Sequence, residues 1–203
     1  MITIVDYGMG NLRSVRRAFE QLGVAVEVTN NPEAVTKAET LLLPGVGSFG
    51  EAVNRIDALK LREPLLQHSA ENKPLLGICL GMQLLFEVSE ESPGAKGLSI
   101  LPGEVKRFSA SLKVPHIGWN DVVSSSSSSL PEQNGKAQCF YFVHSYYVQC
   151  REFEVARTEY GIWFSSAVQK GNTMGTQFHP EKSQDAWIEL LRRFVSLAEN
   201  QPC

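Results

Sequence analysis

Two hydrophobic patterns divide the chain. Up to about residue 90, short apolar runs alternate with stretches whose apolar positions recur every three or four residues. Residues 2–6 form a β-branched run and read as a buried strand. Tyr7-Gly8-Met9-Gly10-Asn11 reads as a turn, with Asn11 placed to cap a helix. Leu12, Val15, Phe19 and Leu22 then share one face, which predicts an amphipathic helix over 12–22 that Gly23 ends. Residues 24–29 and 40–43 read as the next strands. Another apolar run, 75–79, ends at Cys79, and Met82-Gln83-Leu84-Leu85-Phe86 returns to a helical pattern. Strands alternating with helices predict an α/β fold: an open, mostly parallel sheet flanked by helices on both faces. The strand ending at Cys79 is expected to be central. From about residue 97 the period shortens, and segments 98–101, 104–108, 140–147, 154–158 and 164–170 predict an antiparallel extension. Near the C-terminus, Trp187, Leu190, Leu191, Phe194, Leu197 and Ala198 fall on one face of a helix over 185–200, a packing element with no chemistry of its own.

Composition narrows the picture. At 203 residues the chain suits one α/β domain, residues 1–203. A net charge of −3 leaves no basic footprint for nucleic acid or for a membrane surface. No apolar run approaches the roughly 20 residues that span a bilayer, and the first residues lack the pattern of a secretory signal. The four cysteines, Cys79, Cys139, Cys150 and Cys203, show no C-x-x-C spacing. That predicts a reduced, cytoplasmic protein with no zinc or other metal site. Gly8-x-Gly10 lacks the third glycine of a dinucleotide fingerprint, so no cofactor is expected. The serine run 124–129 cannot supply core contacts and reads as a surface loop without a site.

The chemistry gathers at two distant stretches. Gly77-Ile78-Cys79-Leu80-Gly81-Met82-Gln83 has the plan of a nucleophile elbow: strand, sharp turn, helix. Its glycines suit a turn too tight for larger side chains. Cys79 would stand at a helix N-terminus, whose unpaired N–H groups favour negative charge. A lone cysteine in an apolar run is more often a small buried hydrophobe. The second stretch, Thr176-Gln177-Phe178-His179-Pro180-Glu181, changes that weighting, because a cysteine nucleophile needs a base and a group to orient it. In an extended segment His179 and Glu181 would share a face. Of the other histidines, His68 sits in a polar helix and is expected to be solvated, and His116 and His144 have no acid close in sequence. Pro44-Gly45-Val46-Gly47-Ser48-Phe49-Gly50 is either a plain connection with Ser48 as helix cap or a loop that offers N–H groups to a substrate.

Together these stretches resemble the class I glutamine amidotransferases, in which a G-x-C-x-G-x-Q elbow carries the nucleophile and H-P-E supplies histidine and glutamate. Over nearly the whole chain the finer likeness is to the glutaminase branch serving imidazole glycerol phosphate synthases. It rests on Asp6-Tyr7-Gly8-Met9-Gly10-Asn11-Leu12, the 43–50 loop, Pro115-His116-Ile117-Gly118-Trp119-Asn120, Phe142-Val143-His144-Ser145-Tyr146 and His179-Pro180-Glu181-Lys182-Ser183. The serine run departs from that pattern.

The resemblance implies glutamine hydrolysis by Cys79, His179 and Glu181. It places oxyanion donors at Leu80 and around Val46 and Gly47, and a glutamine pocket lined by Gly47, Gln83, Glu91, Ser145 and Tyr146. It also implies a heterodimer with a (β/α)₈ cyclase, with Asn11, Trp119, Asn120 and Lys182 in segments near the contact. The pyridoxal phosphate and anthranilate glutaminases share the elbow but should lack Gly118-Trp119-Asn120. A binding module that has lost catalysis would not be expected to keep Cys79, His179 and Glu181.

Overall fold

The computed structural model describes residues 1–124, 137–182, 190–192 and 194–196. Along the chain run β1 (Ile2–Val5), α1 (Leu12–Gln21), β2 (Val26–Thr29), α2 (Pro32–Lys37), β3 (Leu41–Gly45), α3 (Phe49–Ala58), α4 (Arg62–Ala70), β4 (Leu75–Cys79) and the single turn α5 (Leu80–Gln83). Then come β5 (Val88–Ser89), β6 (Glu104–Arg107), β7 (His116–Ser124), β8 (Gln138–His144), β9 (Tyr146–Val148), β10 (Glu154–Glu159), β11 (Trp163–Lys170), β12 (Thr173–Thr176) and a 3₁₀ turn, Pro180–Lys182.

Among the described residues, nine strands make one sheet in the order β2-β1-β3-β4-β12-β11-β10-β7-β8. The first five are parallel. From β11 onward the strands run antiparallel, so the predicted α/β sheet with its extension is what the chain forms. A small sheet, β5-β6-β9, lies beside it. β3 and β4 are buried on both faces, which is why they read as unbroken apolar runs. One face of the large sheet packs on α2, α3 and α4 through Val35, Phe49, Ile56 and Leu65. The other packs on α1 through Val15 and Phe19, and on Leu190, Leu191 and Phe194, residues of helical conformation near the C-terminus. Trp187, Leu197, Ala198, Cys203 and serines 125–129 lie outside the described residues. No helix among the described residues is long and apolar enough to cross a membrane.

Several expectations are corrected. Residues 98–101 are not a strand: their N–H groups bond the carbonyls of Leu84, Leu85 and Phe86. Those bonds, and the tight ones from Leu85 to Met82 and Phe86 to Gln83, end the elbow helix after one turn instead of carrying it through Phe86. β7 and β12 were not expected as strands. β12, four buried residues reading Thr-Met-Gly-Thr, slots between β4 and β11, where a Cβ on Gly175 would press to 2.7 Å from Met82 Cγ. Asn11 stands at the start of α1, but its side chain makes no capping bond. Ser48 likewise does not cap α3 with its side chain. His68 is not solvated: it is buried, its Nε2 lies 3.0 Å from the Pro74 carbonyl, and burial is the leading cause that lowers its pKa.

Candidate active site

The elbow is a point of backbone strain. Cys79 has φ +54° and ψ −109°, a conformation that costs a non-glycine residue on the order of 1–3 kcal/mol. The neighbours make it tolerable by being very small. A Cβ on Gly77 would lie 2.7 Å from the Gly81 carbonyl oxygen, and one on Gly81 would run into the carbonyl of Leu43 on β3. With α5 only four residues long, little helix dipole supports the sulfur. Individual groups take that role. Gln177 donates from Nε2 to Cys79 Sγ at 3.6 Å, and its Oε1 accepts from Gln83 Nε2 at 2.9 Å. The same Gln83 nitrogen donates to the Tyr146 carbonyl at 3.1 Å. Beneath the elbow the Tyr7 hydroxyl is buried with no hydrogen-bond partner among the described residues, and burial followed by the charge of Cys79 raises its pKa.

His179 Nδ1–H donates to Glu181 Oε1 at 2.8 Å, with both side chains buried. The pair forms through the 3₁₀ turn at Pro180, not through the extended alternation expected from sequence. Burial pushes the His179 pKa down, but hydrogen bonds to Cys79 and Glu181, and the charges of both, outweigh it and bring it up to about 10. With Nδ1 given to Glu181, the Nε2 edge is the one left for the thiol. The backbone N–H of His179 donates to the Tyr141 carbonyl at 2.9 Å, tying this segment to β8.

A cavity of about 320 Å³ opens over the sulfur, at the small end of the range for ligand sites. Cys79, Leu80, Val46 and Gly47 line one side, and Gln83, Glu91, Ser145, Tyr146 and His179 also reach it. Glu91 does a second job: its Oε2 accepts from Phe49 N–H at 2.7 Å, and Ser92 Oγ accepts from Gly50 N–H at 2.9 Å, so these side chains cap α3 in place of Ser48. The Val46 N–H is engaged by the Met9 carbonyl at 3.4 Å. Leu80, the first residue of α5, has no intrahelical acceptor for its N–H.

The four residues expected at a partner contact stand outside the cavity. Trp119 is half exposed and pairs across the sheet with Tyr141 at 6.0 Å between rings. Lys182 Nζ sits 5.3 Å over that same Tyr141 ring. Asn120 is partly buried beside them on β7, and α1, which begins just after Asn11, runs beside the 3₁₀ turn. Sequence reasoning missed Gln177 and Tyr141. Gln177 carried a usable signal, two residues before His179 in an extended stretch. No group of three or more His, Cys, Asp or Glu among the described residues is placed to hold a metal ion.

A strained cysteine turn and a buried histidine–glutamate pair meet at one cavity of an α/β sheet, an arrangement with the parts that thiol-dependent hydrolysis needs. The model of the class I glutamine amidotransferase family matches residues 3–197, and the chain belongs to that family. Within it, the chain is 46% identical to the imidazole glycerol phosphate synthase subunit HisH of Methanothermobacter thermautotrophicus, covering 97% of this chain and 98% of that one. It is 47% identical to HisH of Moorella thermoacetica, with 98% and 96% covered, and 48% identical to HisH of Rhodopirellula baltica, with 97% of each covered. Among solved structures, a glutamine amidotransferase superposes with a TM-score of 0.78 at 21% identity, over 98% of this chain and all of that one. At that identity the likeness speaks for the fold alone.

Proposed function

We propose that this chain is the glutaminase subunit of an imidazole glycerol phosphate synthase, one domain over residues 1–203 acting in the cytoplasm. The observation that carries the chemistry is Cys79, held at positive φ on a cavity that His179 also lines, with His179 itself held by Glu181. An amide carbon is a poor electrophile, and attack by the Cys79 sulfur gives a tetrahedral adduct and then a γ-glutamyl thioester. His179 carries the proton from the thiol to the departing nitrogen, which leaves as ammonia. It then takes a proton from water, which attacks the thioester and releases glutamate. Glu181 orients the imidazole and stabilises its cation. Gln177 steadies the sulfur. The oxyanion is met by the Leu80 N–H and by an N–H of the Val46-Gly47 segment, each such donor being worth about 3 kcal/mol. Gly47, Gln83, Glu91, Ser145 and Tyr146 hold the amino-acid end of glutamine.

The ammonia goes to a cyclase subunit of (β/α)₈ fold, in a heterodimer, where imidazole glycerol phosphate and an aminoimidazole carboxamide ribotide are made. The HisH relatives support this partner, and so does the surface. Ile117 and Trp119 are 59% and 51% exposed on one face of β7, with Tyr141 and Lys182 beside Trp119, an apolar patch with a charged neighbour that suits a protein contact. The test is ammonia release from glutamine by the chain alone and with the cyclase. No release in either condition would overturn the reading.

A further inference from the structure

A row of polar side chains that the reaction does not use leads from outside the cavity to its Ser145-Tyr146 lining, and its last member, His144, lines the cavity too. Asn120 Nδ2 lies 3.2 Å from His116 Nε2, His116 Nδ1 lies 3.0 Å from His144 Nε2, and His144 Nδ1 lies 2.8 Å from the Tyr146 carbonyl. Both histidines are buried. Their rings are fixed by packing: His116 is stacked between Tyr160 and Phe142, with centroids at 4.0 and 4.9 Å, and His144 lies 5.3 Å from Phe108.

The direction of every proton in this row is set by its two ends. A carbonyl oxygen only accepts, so His144 must carry its proton on Nδ1 and, being neutral, present a bare Nε2. That nitrogen needs a donor, which is His116 Nδ1–H. His116 Nε2 is then an acceptor and takes an N–H from Asn120. The Asn120 amide is oriented independently, because its Nδ2 also donates to the Glu159 carbonyl at 3.0 Å and its Oδ1 accepts from Asp121 N–H at 2.8 Å. Both ends therefore require the same polarity. The row arrives at the bend where the chain leaves the large sheet at Ser145 and enters the small one at Tyr146. That bend is held from two other sides, by Phe108 N–H on the Ser145 carbonyl and by Gln83 on the Tyr146 carbonyl.

We propose that Asn120, His116 and His144 act as one directed hydrogen-bond chain that fixes the Ser145-Tyr146 wall of the glutamine pocket. It makes the two histidines positioning residues for glutamine binding, and this rests on the glutaminase reading above. The row also extends from the Asn120 surface to the Tyr146 carbonyl, and onward through Gln83 and Gln177 to Cys79. Removing a donor inside it leaves a buried acceptor unmet. Without the His116 donor that acceptor is His144 Nε2, so the ring that holds the Tyr146 carbonyl beside Gln83 loses its anchor, and binding suffers more than chemistry.

Two measurements test this. Two-bond ¹H–¹⁵N NMR of the wild-type chain at neutral pH should show both histidines as Nδ1–H tautomers, whatever the protein does to glutamine. Either ring as the Nε2–H tautomer or as imidazolium overturns the proposal. In glutamine hydrolysis by the complex with cyclase, His116→Phe keeps the aromatic stack and removes the donor. It should raise KM about tenfold with kcat within about twofold. His116→Asn returns an N–H at the Nδ1 position and should bring KM back to within about threefold of wild type. A wild-type KM for His116→Phe, or no rescue by His116→Asn, overturns the proposal while leaving the glutaminase reading intact. A wild-type complex that releases no ammonia fails the glutaminase reading and takes this one with it.

Discussion

The two walls of the cavity are built on opposite principles. The elbow wall, from β3, β4 and α5, is shaped by backbone. Its cysteine can sit at positive φ because Gly77 and Gly81 carry no Cβ to strike the Gly81 and Leu43 carbonyls. The histidine wall, from β7, β8 and β9, is shaped by side chains, with neutral rings, aromatic stacking and a one-way run of hydrogen bonds. Two histidines face the same space with opposite charge preference. His179 is raised to about 10 by hydrogen bonds and charges that outweigh burial, while His144 is lowered to about 3, chiefly by burial. The difference separates roles: a group that must carry a proton needs an anionic neighbour, and a group that must hold a shape is better neutral.

The largest effect expected is on the elbow wall. Cys79→Ala or Cys79→Ser should lower glutamine turnover by at least about 10⁴-fold while the fold survives, since loss of a nucleophile disables the whole unit. A glutamine-analogue electrophile should label Cys79. Labelling at Cys139, which is exposed, or at buried Cys150 would move the nucleophile elsewhere.

Next, His179→Ala should slow thioester formation about 10³-fold in a single turnover, and His144→Ala or His116→Ala far less. Glu181→Gln should do less harm than His179→Ala, because it leaves the base in place. Equal damage at His144 and His179 would erase the contrast between the walls.

Much of the elbow wall was legible in the sequence, because its determinants are local. Gly77, Cys79 and Gly81 lie within five residues, and His179 lies two from Glu181. The histidine wall was not. His116 and His144 are cross-strand partners only through the β7–β8 register, 28 residues apart, and nothing in either segment announces the pairing. His68 was misread for a similar reason: it can be buried with its Nε2 satisfied because the turn after α4 brings the Pro74 carbonyl back to it. The sheet plan was readable from apolar runs, but not the polar strand β12 or the nine-residue β7, whose buried and exposed positions alternate only in part.

A smaller effect joins the elbow wall to the partner. In the isolated chain the Val46 N–H bonds the Met9 carbonyl, and Gly47, at φ +102°, offers a place for the peptide to turn. Binding of the cyclase with its own ligand should shift the loop toward a state that offers this N–H to the oxyanion. Glutamine turnover by the liganded complex should exceed that of the chain alone by at least ~100-fold, a coupling near ~3 kcal/mol. Equal turnover for the chain alone, with cyclase, and with cyclase plus ligand would mean that the donors are already in place.

The smallest effect concerns acid, and it isolates the histidine wall. His116 is held down to about 4, by burial, and His144 to about 3, by burial first and then by the neighbouring imidazoles. In the unfolded chain both return to about 6.5. Below that pH the unfolded state binds protons that the folded state refuses, so the stability these residues contribute is present above about pH 6.5. It is lost progressively as pH falls toward 4 and 3. His68, also lowered, adds to the same trend. Carboxylates titrate in this range too, but they are common to wild type and variant. His116→Phe removes one of the refused protons and relieves His144 of a like-charge neighbour. The urea midpoint of wild type should therefore fall more steeply between pH 6.5 and 4.5 than that of His116→Phe. Parallel curves would mean that the two rings accept protons in the folded state, and a wall that charges so readily could not keep the directed chain on which its shape depends.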